Sequence, residues 1–384
     1  MLEIPSELWV EIFQHIPRRS LASVNSVSSH FRDISHPLLF KEVNVNADNT
    51  KPSTENLSAR LFFLSSDETA PLVRHLKISM ALLLNWTDPI EISSHLFDPR
   101  VQMIVRAIPC FRNLCILTCV FPGTSEVDLS RLGLSALKNL DELTITAGSL
   151  FCTEVPHAMK IRAKSASIIS FGAHGRLRFL PVLDLSGMRP LRVALLDKES
   201  LSTRWLRDDV DLMYNGPHKL SLICGAISFA ETHRVLARFP SVRILYIGAE
   251  VHHLAHVPTD HLTSPLESFG GPSELLPLVL PATGCSTLRI QPCSGEALLQ
   301  AVCTAGYTPS VTTLHITLSL THVYEWTAPH ELFAFLPCVT SLQLTIPSRW
   351  DTRTPAVLVH TVTPNTFMQA LVRIFCAPQA LRTL

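Results

Sequence analysis

Pro71-Leu72-Val73-Arg74-His75-Leu76-Lys77-Ile78 is a phrase that this chain repeats. Reduced to Pro-x-[Val/Phe]-x-x-Leu-x-[Ile/Leu], it returns at Pro109/Phe111/Leu114/Ile116, Pro240/Val242/Leu245/Ile247, Pro309/Val311/Leu314/Ile316 and Pro337/Val339/Leu342/Leu344. Without the proline it recurs at Leu140/Leu143/Ile145 and Cys285/Leu288/Ile290. The alternating end of the phrase reads as a short strand, one residue inward and the next outward. Helical stripes precede several copies: Val101/Ile104/Val105/Ile108, Val235/Leu236/Phe239, Ala297/Leu298/Ala301/Val302 and Leu332/Phe333/Leu336. The proline ends each helix by biasing the residue before it away from helical geometry. The expected unit is helix, proline break, strand. One such unit cannot bury its own apolar face, whereas stacked neighbours can, so the pattern predicts an α/β solenoid with a parallel strand face.

The spacing sharpens this. Leu114 to Leu143 is 29 residues, Leu288 to Leu314 is 26, and Leu314 to Leu342 is 28. The wide gap from Leu143 to Leu245 leaves room for degenerate copies around Phe171, Leu195 and Leu220. Periods of about 20–29 residues are those of leucine-rich repeats. The Asn or Cys of the standard consensus is mostly missing, so the resemblance is to irregular leucine-rich-repeat-like regions. An ordinary α/β domain with leucine-rich strands is the competing reading. In a solenoid the residues flanking each inward leucine point out, by the strand's two-residue period. These are Lys77, Thr144, Thr146, Tyr246, Arg289, His315, Thr317, Gln343 and Thr345. Lys77, Thr144, Tyr246, Arg289, His315 and Gln343 are the candidate target-binding residues. Tyr246 and Arg289 lead, because Tyr and Arg are enriched in interface hot spots.

A different signal occupies the first residues. Ile4 to Phe40 reads IPSELWVEIFQHIPRRSLASVNSVSSHFRDISHPLLF. Leu8, Ile12 and Ile16 fall four apart, on one helical stripe. Ser6 is placed to cap this helix, or Pro5 to open it, and Pro17 ends it. Ser20 is placed to cap a second helix carrying Leu21, Val24 and Val27. A third, holding Phe31 and Ile34, is expected to stop near Pro37. Three helices this short bury little by themselves.

The segment resembles an F-box: Ile4-Pro5, Glu7-Leu8, Ile12-Phe13, Ile16, Leu21, Val24, Val27 and Phe31 match its spaced pattern, with Ile4 in place of Leu and Phe31 where Trp is common. A plain three-helix cap on the following domain is the alternative. The resemblance implies that Ile4, Pro5, Leu8, Ile12, Phe13, Leu21, Val24, Val27 and Phe31 bind a Skp-type adaptor, and through it a cullin. The domains expected are an all-α F-box at 1–45 and the repeat region at 46–384, which resembles the irregular leucine-rich-repeat-like tails of F-box proteins, such as those abundant in fungi. Lys41–Val45 is the expected capping strand, and Ala47–Ser58, Thr259–Gly284 and Ser348–Pro355 are expected loops. The chain stops within a strand-like phrase (Leu381, Leu384), and no C-terminal cap is visible.

Composition narrows the function classes. Hydrophobic residues make up 47% and charged residues 17%, a globular mix with material for a long core. The 32 basic and 32 acidic residues balance, and no basic run exceeds Arg18-Arg19, so no nucleic acid or membrane partner is expected. The start lacks a signal-peptide pattern and no apolar stretch is long enough to span a bilayer, which points to an intracellular protein, cytoplasmic or nuclear. The ten cysteines form no CxxC pair and read as small buried hydrophobes. His252, His253 and His256 lack the Glu of a HExxH site, Asp208-Asp209-x-Asp211 lacks the spacing of a calcium loop, and Gly270-Gly271-Pro272-Ser273 lacks a phosphate-loop Lys, so it reads as a turn. No metal, cofactor or catalytic constellation is expected. The reading is a non-catalytic substrate adaptor of an SCF-type ubiquitin ligase with an unknown protein target. The alternative is a leucine-rich-repeat scaffold or regulatory protein acting outside ubiquitination.

Overall fold

The computed structural model describes residues 4–47, 54–80, 99–121, 123, 125–151, 160–171, 183–195, 216–251, 266–281, 284–306, 308–317 and 329–345. The chain divides into two compact units between Met188 and Arg189. The architecture is mixed α/β: short helices at the N-terminus, then parallel strands.

The first unit opens with α1 (Ser6–Gln14), α2 (Arg18–Val24) and α3 (Ser29–Phe40). Pro5 and Pro17 occupy the N-cap positions of α1 and α2, so α2 starts before Ser20, the expected cap. Ser28 caps α3, its hydroxyl accepting from the Phe31 amide at 3.1 Å. That helix also runs past the expected stop: Pro37 lies inside it. Proline removes one backbone donor, and near a helix end neighbouring bonds carry the loss.

Next come β1 (Glu42–Ala47), α4 (Thr54–Leu64), β2 (His75–Met80), α5 (Pro99–Ala107) and β3 (Ile116–Val120). They are followed by β4 (Glu126–Asp128), β5 (Glu142–Ala147), β6 (Ser149–Phe151), β7 (Ile161–Arg162), β8 (Ser165–Ser170) and β9 (Leu183–Asp184). Strands β1, β2, β3, β5 and β8 pair in parallel in that order. The expected capping strand is therefore the edge strand β1. Part of the expected loop Ala47–Ser58 is instead the start of α4, where Leu57, Leu61 and Leu64 are buried at a spacing of three to four residues.

The copy at Pro109 is displaced. Strand β3 pairs Leu117 and Cys119, not Leu114 and Ile116, with Leu76 and Ile78 of β2. Phe111 and Leu114 are both fully buried in the turn before the strand, which consumes three residues more than the phrase allows. Between β3 and β5 the described residues hold β4 and two 3-10 turns, Leu129–Leu132 and Leu134–Ala136, in place of the expected helix.

The second unit contains β10 (Pro190–Leu195), β11 (Lys219–Ile227), α6 (Phe229–Arg238), β12 (Ile244–Val251), β13 (Ser268–Gly271), α7 (Leu276–Val279), β14 (Thr287–Ile290), α8 (Gly295–Ala305), β15 (Thr313–Thr317), α9 (Pro329–Phe335) and β16 (Ser341–Thr345). All seven strands pair in parallel, in chain order. One register row runs Leu191, Leu220, Leu245, Phe269, Leu288, Leu314, Leu342, and every side chain in it is buried.

The described residues of Thr259–Gly284, expected as an irregular excursion, hold strand β13, paired in parallel with β12 and β14, and the buried helix α7. Gly270-Gly271 belongs to the strand, and the turn begins at Pro272. The expected stripes on α6, α8 and α9 are core: Val235, Leu236, Leu298, Val302, Leu332 and Leu336 are all buried. Ser228 and Glu231 close a reciprocal capping box at the start of α6.

Candidate functional site

Helix α1 is apolar on two adjacent faces. Inward lie Trp9 and Phe13, whose rings meet Phe31 of α3 at centroid distances of 4.9 and 5.4 Å, both edge-on. Trp9 and Phe13 themselves sit 5.5 Å apart. This aromatic triad, with buried Leu21 of α2, is the internal core of the three helices. Asn25 joins α2 to α3: its side-chain carbonyl accepts from the buried Ser35 hydroxyl at 3.1 Å, and its backbone carbonyl accepts from Arg32 at 3.4 Å.

Outward lie Ile4, Leu8 and Ile12, at 46%, 49% and 46% exposure, with Val27 beyond α2 at 68%. The nine residues that the resemblance implies as adaptor-binding thus divide. Ile4, Pro5, Leu8, Ile12 and Val27 face solvent, Val24 and Phe31 are half-buried, and Phe13 and Leu21 are internal. Trp9, which the spaced pattern does not single out, holds the centre; an aromatic one residue past the stripe was its only signal.

Residues 1–46 match the F-box-like family. No match to the chain is found among curated proteins. The F-box-like region therefore coincides with α1 to α3 and most of β1, and it holds four of the exposed large aliphatic side chains among the described residues, Ile4, Leu8, Ile12 and Val27. An F-box-like domain implies binding to a Skp-type adaptor, and apolar side chains exposed in a cluster are what such a contact requires.

The second candidate surface is the outward face of the strands. In the first unit Asn44, Lys77, Thr118, Thr144 and Ser167 form one register row. In the second unit the row is Arg192, Ser221, Tyr246, Gly270, Arg289, His315, Gln343. The ladder therefore brings Tyr246, Arg289, His315 and Gln343 together, and Lys77 with Thr144 in the other unit. Thr317 and Thr345 pair one step further along β15 and β16, while Thr146 is buried. Partial burial, then the charge of Arg289 beside it, holds the His315 pKa below its usual value.

Other polar features resolve into local pairings. A groove of about 780 Å³ in the first unit is lined by Arg74, Lys138, Asp141, Arg162, Lys164 and Asp184 among others. Lys164 pairs with Asp141 at 2.6 Å and Arg162 with Asp184 at 3.1 Å. The Ser186 hydroxyl, donating to Asp184, is the main cause of that carboxyl's lowered pKa, and the Ser186 amide and Arg162 add to it. The cysteines are not uniformly core. Cys119, Cys224 and Cys285 are buried, and burial pushes their thiols up to about 12, 12 and 11, whereas Cys110, Cys303 and Cys338 are exposed. No cluster of metal-ligating side chains occurs among the described residues, and no helix among them is long and apolar enough to cross a membrane. The sequences His252 to His256 and Asp208 to Asp211, and the expected loop Ser348–Pro355, lie outside the described residues.

Proposed function

We propose that this chain is a non-catalytic substrate-recognition adaptor of an SCF-type cullin–RING ubiquitin ligase. Residues 1–45 bind a Skp-type adaptor, which supplies the cullin, and residues 46–384 capture the protein to be ubiquitinated. The observation that carries the reading is the coincidence of the F-box-like match with an aliphatic set, Ile4, Leu8, Ile12 and Val27, that stays 46–68% exposed. Burying each such side chain against a partner is worth roughly 1.5–3 kcal/mol. Of the residues matched to the pattern, Phe13 and Leu21 act indirectly here, by holding α1 against α2 and α3, while the outward Ile4, Pro5, Leu8, Ile12 and Val27 make the contact. The strand faces supply an extended polar surface for the target.

Affinity purification of the tagged chain from cells, followed by mass spectrometry, tests this. A Skp-type adaptor and a cullin should both co-purify. Recovery of the adaptor without any cullin would favour a scaffold outside ubiquitination, and recovery of neither would end the proposal.

A further inference from the structure

The chain is electrically neutral, yet its two strand faces differ in charge. In the first unit the two outward rows carry Glu42, Glu142 and Lys77, with His75 bonded to Glu42 at 3.1 Å. In the second unit the corresponding rows are Pro190, Lys219, Ile244, Ser268, Thr287, Thr313, Ser341 and, above it, Arg192, Ser221, Tyr246, Gly270, Arg289, His315, Gln343. These rows hold three permanent cations, Arg192, Lys219 and Arg289, and no Asp or Glu. None of the three cations has an ion-pair partner among the described residues. By contrast, Arg243, just below the lower row, is paired with Glu267 at 2.9 Å.

A second feature lies between the two arginines. The Tyr246 ring rests across Gly270: a Cβ added there would lie 2.8 Å from ring carbon Cδ2 and 3.5 Å from the Arg289 Cβ. The glycine thus lets the aromatic ring lie toward Arg289, still 39% exposed, beside the likewise exposed Ile244. Strand neighbours are about 4.8 Å apart, so four steps from Arg192 to Arg289 span about 19 Å, roughly six residues of extended peptide at about 3.3 Å each.

We propose that the strand face of the second unit docks an acidic, extended segment of the target protein, its carboxylates read by Arg192, Lys219 and Arg289 and its chain lying against Tyr246. This rests on the reading that residues 46–384 capture the target. Charge complementarity selects the occupant. A basic segment would meet cations of its own sign, whereas an acidic one gives each of them a partner. The neutral hydrogen-bonding side chains Ser221 and Ser268, on strands between those of Arg192 and Arg289, suit a peptide backbone crossing between the charges.

The test uses the full chain bound to its Skp-type adaptor, with fluorescently labelled oligoglutamate, oligolysine of equal length, and oligouridylate as probes. Oligoglutamate should bind, more weakly as salt rises, and oligolysine should not. Replacing Arg192→Glu with Arg289→Glu should weaken oligoglutamate binding by about tenfold or more, since removing rim charges acts on a screened, exposed attraction. The milder Arg289→Gln should produce a smaller loss in the same direction. No binding of oligoglutamate, equal binding by the reversed variant, or tighter binding of oligouridylate through the same residues would overturn the proposal. Adaptor retention is read in the same samples, so failure there counts against the ligase assignment and not against the acidic-segment site.

Discussion

Leu8 and Leu76 both sit in apolar stripes, yet Leu8 is 49% exposed and Leu76 is 1%. The difference lies in what surrounds the stripe. Leu76 stands in a ladder whose neighbours, Val43 and Leu117, repeat its chemistry at each parallel strand, so the chain covers its own apolar face. Leu8 stands on a helix whose other apolar face, Trp9 and Phe13, has already taken the contact with α3. Two short neighbouring helices cannot cover both faces. The strand core is built by like residues on successive strands, whereas the F-box-like region leaves Ile4, Leu8, Ile12 and Val27 outward, the set proposed here to meet the adaptor.

The contrast can be broken most severely at the helix. Leu8→Asp should abolish adaptor binding in a pull-down, because it removes an apolar anchor and leaves an unpaired charge in the contact at a cost of several kcal/mol. The same change should alter thermal unfolding of the free chain far less than the binding, since about half of the Leu8 side chain already faces solvent there. Inside the ladder the outcome inverts. Leu288→Ala should lower the unfolding free energy by about 2–5 kcal/mol, measured by denaturant titration, with adaptor binding retained under native conditions. Ser228→Ala removes a side-chain cap from α6 and should cost about 1 kcal/mol in the same titration. Phe62, 84% exposed on α4, is the small end of the scale: Phe62→Ser should change stability by no more than about 0.5 kcal/mol. A large loss there would mean that exposure does not separate the two kinds of apolar residue.

Much of this arrangement was legible in residue spacing. The phrase ending in Leu-x-[Ile/Leu] places the inward row at Leu76, Leu143, Leu245, Leu288, Leu314 and Leu342, and the outward residues Tyr246, Arg289, His315 and Gln343 follow from strand alternation. The phrase fails where another residue does the anchor's work. Phe269 fills the leucine position of β13 and Gly271 the following inward one, so composition reads Gly-Gly-Pro-Ser as a turn although the register continues. At Pro109 two buried residues, Phe111 and Leu114, both satisfy the pattern, and only pairing with β2 decides that the strand begins at Ile116. In the F-box-like region, spacing identifies the apolar residues but not which of them face each other. That partition depends on the Trp9–Phe13–Phe31 ring contacts, a tertiary fact. Likewise, Pro37 is a helix breaker by local rule, but it lies within α3, which continues to Phe40.

The central claim, that the outward face of α1 is completed by a Skp-type adaptor, is tested most directly by calorimetric titration of the purified adaptor into the purified chain at several temperatures. The account predicts saturable one-to-one binding with a negative heat-capacity change, the mark of apolar surface leaving water, and loss of that signal in Leu8→Asp. A folded chain that takes up no adaptor, or one that binds it equally well with aspartate at position 8, would contradict the account.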